Sequence, residues 1–163
     1  MSAIIKILVV FCVILLYSTS SYSGELSVLV NGKSVHLNTD EEYNENNLGI
    51  GFQYDFCYSA DKFIRSVIAS GFIDSKNNTS YYVGGGYARR FLISTSFDCF
   101  HIDIGAVGIF ISRKDLNNRT PFFCVLPELS VGTNKLSMNV SYVPKVGPSA
   151  EEILFFQLKI LLK

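Results

Sequence analysis

Two histidines, His36 and His101, are all that this 163-residue chain offers for imidazole chemistry near neutral pH. Asp74 and Ser75 are adjacent, so a carboxylate and a hydroxyl lie within one short segment. Histidine, aspartate and serine together suit acyl transfer. The imidazole serves as general base, the serine as nucleophile or oxyanion donor, and the aspartate as orienting or polarising group. Taken singly, His36 reads as an ordinary polar residue, and Asp-Ser before Lys-Asn-Asn reads as a turn. His101 and Asp103 form a competing pair. Two positions apart, they share one face of a strand, where a buried network with Asp55, Gln53 or Gln157 is the plainer expectation. Gly84-Gly85-Gly86 lacks the Lys-Ser/Thr of a phosphate loop and reads as interior volume or strand bending. There is no GxSxG elbow, so a soluble hydrolase is poorly supported. Without CxxC or a His/Cys cluster at zinc spacing, neither a metal nor another cofactor is expected.

The elements that would position these residues alternate with period two. In Leu48–Tyr58, Leu48, Ile50, Phe52, Tyr54, Phe56 and Tyr58 share one face; Gly49, Gly51, Gln53, Asp55 and Cys57 share the other. The first face is apolar and aromatic along its whole length and the second is small and polar. This suits a strand with lipid outside and a packed polar interior. Leu136–Tyr142, Cys99–Ala106 and Leu154–Leu162 repeat the alternation, and Leu26–Leu37, Phe63–Ile73, Thr79–Arg90 and Pro121–Val131 are also β-rich. About eight strands result, each long enough for a tilted membrane crossing. No helical period runs through residues 24–163. The expected fold is all-β, an eight-stranded antiparallel barrel of the outer-membrane type.

Lys6, the apolar run Ile7–Leu16 and the small-residue stretch ending in Ser21-Tyr22-Ser23 describe a secretory signal peptide over residues 1–23, cleaved before Gly24. The barrel domain would occupy residues 24–163. Acidic and basic residues balance at 14 each, and no basic stripe marks a nucleic-acid surface. Cys57, Cys99 and Cys124 are an odd number, read either as packed residues or as one bridge plus a thiol. Asn77, Asn78, Asn118 and Asn139 begin sequons that matter only on a eukaryotic secretory route.

Connections alternate in length. Segments 38–47, 74–78, 112–120 and 144–151 are the longer polar ones, whereas 59–62 and 132–134 are tight. Outer-membrane barrels keep short turns and both termini in the periplasm. Strand one then runs outward, and His36, near its end, meets Asp74 and Ser75, at the end of strand three, on the same outer rim.

Several stretches resemble the PagP-type lipid A palmitoyltransferases: YNENNLGIGF after strand one, GFIDSKNNTSYYVGGGY across the second outer loop, and VLPELSVGTNKLSMNVSYVP in strands six and seven. The resemblance implies an outer-membrane acyltransferase that moves a palmitoyl-like chain from a phospholipid to lipid A. It places the catalytic set on His36, Asp74 and Ser75 and the floor of an acyl pocket at Gly86. It also implies that Pro127 and Pro144, which lack ladder donors, help open a lateral gap for a lipid tail. The residues alone allow a bulge at Pro127 and a strand end at Pro144. Arg113, in the third outer loop, and Tyr142 complete the expected substrate-binding set. Residues 24–35 leave room only for strand one, without the amphipathic helix that precedes the barrel in the family.

The expected partners are the phospholipid donor, the lipid A acceptor and the barrel-assembly machinery, with the protein acting as a monomer in the outer membrane. A lipid A deacylase or phospholipase barrel, and a non-enzymatic barrel with partner-binding or surface-masking loops, are the alternatives.

Overall fold

A computed structural model describes residues 24–56, 62–94, 99–115, 119–145 and 151–162. The expected leader, its cleavage site, Cys57 and Asn118 lie outside the described residues, as does the side chain of Cys99. Eight strands follow in order: β1 Gly24–Leu37, β2 Asn46–Phe56, β3 Phe63–Ile73, β4 Thr79–Ser94, β5 Cys99–Ser112, β6 Phe122–Thr133, β7 Leu136–Val143 and β8 Glu152–Leu161. Each pairs antiparallel with the next, and β8 returns to β1, closing the barrel.

The closed sheet fixes what each strand face meets. Leu48, Ile50 and Phe52 are 66%, 59% and 52% exposed on the exterior, whereas Gln53 and Asp55 on the alternate face are 6% and 1% exposed. Val140 and Met138 point outward between the inward Ser137, Asn139 and Ser141. An apolar exterior around a polar interior is the pattern that lipid demands, because lipid cannot hydrogen-bond backbone or side-chain groups.

The interior changes character along its length. Near the short turns it is ionic: Arg90 holds Asp103 through two bonds of 2.8 and 2.9 Å, and Lys159 donates to Asp55 at 3.0 Å. Gln53 donates to the same Asp55 at 2.7 Å. Midway, Gln157 donates to Asn31 and, at 2.7 Å, to the Tyr82 hydroxyl, while Asn31 donates to Ser70 at 2.7 Å. From there toward the longer loops it becomes apolar. Leu29, Ile68, Tyr82, Val107, Ile109 and Leu126 are buried, with Phe72, Ile111, Cys124 and Val143 packed on them.

Candidate active site

His36 reaches the site through an irregularity in β1. Ser27, Leu29 and Asn31 face inward, all at odd positions, yet the next deeply buried residue is Ser34. The pairing of β1 shifts register at residues 31–34 on both sides, against β2 and against β8. Against β8 the extra residue lies in β1, at Gly32-Lys33; it reverses the strand's parity and puts His36 on the same inward face as Ser34. Glycine suits the bulge, having no side chain to pack on either face. In a regular strand His36 would share the lipid face with Val28 and Val30.

Both imidazole nitrogens of His36 are shielded from solvent and have no hydrogen-bond partner among the described residues. The ring is held by its face instead. Tyr43 stacks on it with centroids 4.3 Å apart and planes 17° from parallel, and the Tyr43 hydroxyl donates to Glu41 at 2.7 Å. That carboxylate raises the Tyr43 phenol to about 12, so it remains a donor at neutral pH. Thr39, Glu41, Glu42 and Glu45 complete an open pocket around His36 and Tyr43.

Asp74 is fully buried, and its carboxylate builds the β3–β4 loop. One oxygen accepts from the Lys76 and Asn78 amides, both at 2.9 Å, and the other accepts from the Ser80 hydroxyl at 2.8 Å. Asn77, with φ of 59°, turns the chain between them. Arg113 comes within 4.0 Å of the same carboxylate while its guanidinium grips Asp115 at 2.9 and 3.0 Å. The expected Arg113 is thus brought to the site from the β5–β6 loop. Asp74 fixes the shape of the loop that carries Ser75, itself 9% exposed.

The two halves meet through residues 43–45. The Ser34 amide donates to the Glu45 carbonyl at 2.8 Å, and the Asn44 amide donates to the Ser75 carbonyl at 3.0 Å. Residues 43 and 44 therefore lie between His36 and the Asp74-Ser75 loop. Among the described residues no hydrogen bond links His36 directly to Asp74 or Ser75. Sequence reasoning missed Tyr43, Asn44 and Ser80 as organising residues. Tyr43 had a signal, since an aromatic in an otherwise polar loop needs a surface to cover.

The other expected positions separate into interior and seam. Gly86 faces inward on β4, where an added Cβ would meet the Ser66 hydroxyl at 2.5 Å and Val107 at 3.2 Å. It lines a small internal cavity with Gln53, Ser66, Glu128 and Lys159, at the junction of the apolar and ionic zones. Pro127 causes no bulge: the β5–β6 ladder runs through Ala106↔Pro127 without a shift. The β6–β7 ladder, however, spans only Glu128↔Ser141 to Gly132↔Ser137. Among the described residues, Phe122–Pro127 pair with β5 alone and Tyr142–Val143 with β8 alone, leaving a seam without ladder bonds in the half of the barrel wall toward the longer loops. Pro127 stands beside the point where that ladder stops, and Pro144 follows the end of β7. Tyr142 shares the outward face of β7 with Val140, beside the seam.

His101 and Asp103 lie at the other end of the barrel. The expected network around them differs in its partner. Arg90, not Asp55, Gln53 or Gln157, binds Asp103 and approaches His101 at 3.4 Å. Arg90 sits opposite Asp103 across the β4–β5 ladder, a pairing that only the register reveals. Cys124 is a free, half-buried thiol.

Comparison with known proteins agrees with the barrel fold. Residues 31–159 match the family model described as antimicrobial peptide resistance and lipid A acylation protein PagP. A curated relative from Yersinia enterocolitica (serotype O:8, biotype 1B), the lipid A acyltransferase PagP, is 29% identical over 104 residues. The match covers 64% of this chain, and it spans about half, 50%, of that relative's length.

Proposed function

The chain belongs to the PagP family, and from that premise we propose that it transfers a fatty acyl chain from a phospholipid to lipid A in the outer membrane. The observation that carries the reading is His36: an imidazole with two shielded, unpartnered nitrogens, held at the rim of an apolar barrel interior. Buried polar atoms are normally paired, so a ring left this way is suited to bonds with a substrate.

In the proposed reaction, His36 takes the proton of a lipid A hydroxyl as that oxygen attacks the ester carbonyl of the phospholipid. The Ser75 hydroxyl donates to the oxyanion of the tetrahedral intermediate. Collapse breaks the ester bond. The departing glycerol oxygen takes the proton back from His36, leaving a lysophospholipid and acylated lipid A. Asp74 holds the loop that presents Ser75, and Arg113 adds positive charge where phosphate groups of either lipid would lie. The apolar interior accommodates the acyl chain, with Gly86 at its floor and the β6–β7 seam, flanked by Pro127 and Tyr142, as the route for the tail. No step calls for a metal or soluble cofactor.

The expected leader over residues 1–23 and the barrel-assembly machinery fit this location. Mass spectrometry of lipid A and phospholipids from cells with and without the protein tests the reading. Transfer adds an acyl mass to lipid A and produces lysophospholipid. A loss of acyl mass from lipid A would instead make the barrel a deacylase, and unchanged lipids would remove the enzymatic reading.

A further inference from the structure

Arg90 and Lys159 face the barrel interior, where they pair with Asp103 and Asp55, and Lys33 pairs with Glu45 at the long-loop rim. Arg65 on β3 and Arg89 on β4 lie exposed on the outward face, close to the short-turn rim. They are diagonal neighbours, because Phe63 stands opposite Arg89 and Arg65 opposite Tyr87. Aromatic rings frame them. Phe63 stacks on Tyr87 at 5.3 Å and 11°, and the Arg89 guanidinium carbon lies 5.1 Å from the Phe91 centroid and 6.0 Å from that of Phe63. Arg89 has no carboxylate ion pair among the described residues.

We propose that Arg65 and Arg89, framed by Phe63, Tyr87 and Phe91, bind the phosphate of an anionic phospholipid in the leaflet beside the short turns. The inference rests on the barrel and not on its chemistry. A cation on a lipid-facing strand is tolerated only near the interface, where headgroup phosphates lie, and aromatic side chains settle at the same depth. Guanidinium groups bind phosphate through paired N–H donors, and a ring against the face of the Arg89 guanidinium leaves its in-plane donors directed away from the ring. The patch is local, not a belt. On the other strands at this rim the outward residues Leu26, Tyr54, Phe56, Phe100, Val131, Leu136 and Ile160 are uncharged, and the exposed cations Lys62 and Lys135 lie in the turns. Short turns mark the periplasmic side of an outer-membrane barrel, so the leaflet is the phospholipid one.

The full chain in nanodiscs of equal phosphatidylglycerol and phosphatidylcholine, released for native mass spectrometry, tests this. Phosphatidylglycerol should remain bound to the wild-type barrel in preference to phosphatidylcholine. With Arg65→Gln and Arg89→Gln together, the phosphatidylglycerol-bound fraction should fall about tenfold, as loss of charge-assisted hydrogen bonds implies. Lys33→Gln, at the opposite rim, should leave it unchanged. Arg89→Gln alone should lower it as well, and serves if the double variant does not fold. Equal retention of both lipids, or undiminished retention in the arginine variants, would overturn the proposal.

Discussion

Asn31 and His36 face the barrel interior together although five residues separate them, a spacing that puts side chains on opposite faces of a regular strand. The bulge at Gly32-Lys33 supplies the parity change. His36 thereby exchanges a place against lipid for one above the apolar interior, stacked on Tyr43. The site depends on one inserted residue as much as on the histidine itself.

Deleting Gly32 and inserting one alanine between Val35 and His36 should restore the regular alternation with Ser34 still inward, and turn His36 outward. The barrel should still assemble, since the chain length is unchanged, and should still run anomalously on a gel unless boiled. Lipid A acylation in cells should disappear. A folded variant of this kind with undiminished acylation would show that the bulge does not position the base.

Tyr43→Ala removes the surface against which the His36 ring lies. Misplacing a catalytic group by about 1 Å can lower a rate by about 10²-fold, and a fall in kcat of that order is expected. Tyr43→Phe, which keeps the stack and loses only the bond to Glu41, should keep most of the activity. Initial rates in detergent micelles with phospholipid donor measure both, and equal losses in the two variants would assign the effect to the hydroxyl.

Asp74 separates a charge role from a shape role. An amide oxygen can accept from the Lys76 and Asn78 amides, and an amide nitrogen can donate to the Ser80 hydroxyl, so Asp74→Asn preserves the loop. Asp74→Ala leaves those buried donors unpaired, at about 1–3 kcal/mol each. Acylation should survive Asp74→Asn far better than Asp74→Ala. Equal loss in both would return the carboxylate's charge to the mechanism.

Val140→Arg should impair assembly, because a cation at mid-bilayer on a barrel's lipid face costs about 2–4 kcal/mol. Asn139→Arg places the charge inside, beside Gln157 and Ser130 across the ladders, where sterics and not lipid oppose it. Urea unfolding from lipid vesicles compares the two. A Val140→Arg barrel as stable as wild type would contradict the assigned faces.

Alternation made the fold legible. Gln53, Asp55, Asn139 and Gln157 could be set inside because lipid tolerates none of them, and the observed strands follow the expected segments closely. Connection lengths placed His36 and Asp74-Ser75 at one rim. What could not be read depends on register and tertiary contact. Gly32 signals a bulge only once Ser34 is known to be buried. The Arg90–Asp103 pair needs the β4–β5 alignment, and the part played by Tyr43 needs the loop folded back over β1. Taken alone Pro127 suggests a bulge, yet the β5–β6 ladder runs through it unshifted and the β6–β7 ladder stops beside it.

The central claim is that His36 is the base for acyl transfer. Purified barrel carrying His36→Ala, shown folded by its β-type circular dichroism and heat-modifiable migration, should be incubated with phospholipid and lipid A and the products weighed by mass spectrometry. This variant should yield no acylated lipid A and no lysophospholipid, whereas the wild type yields both. Acylation at the wild-type rate by the folded His36→Ala barrel would contradict the claim.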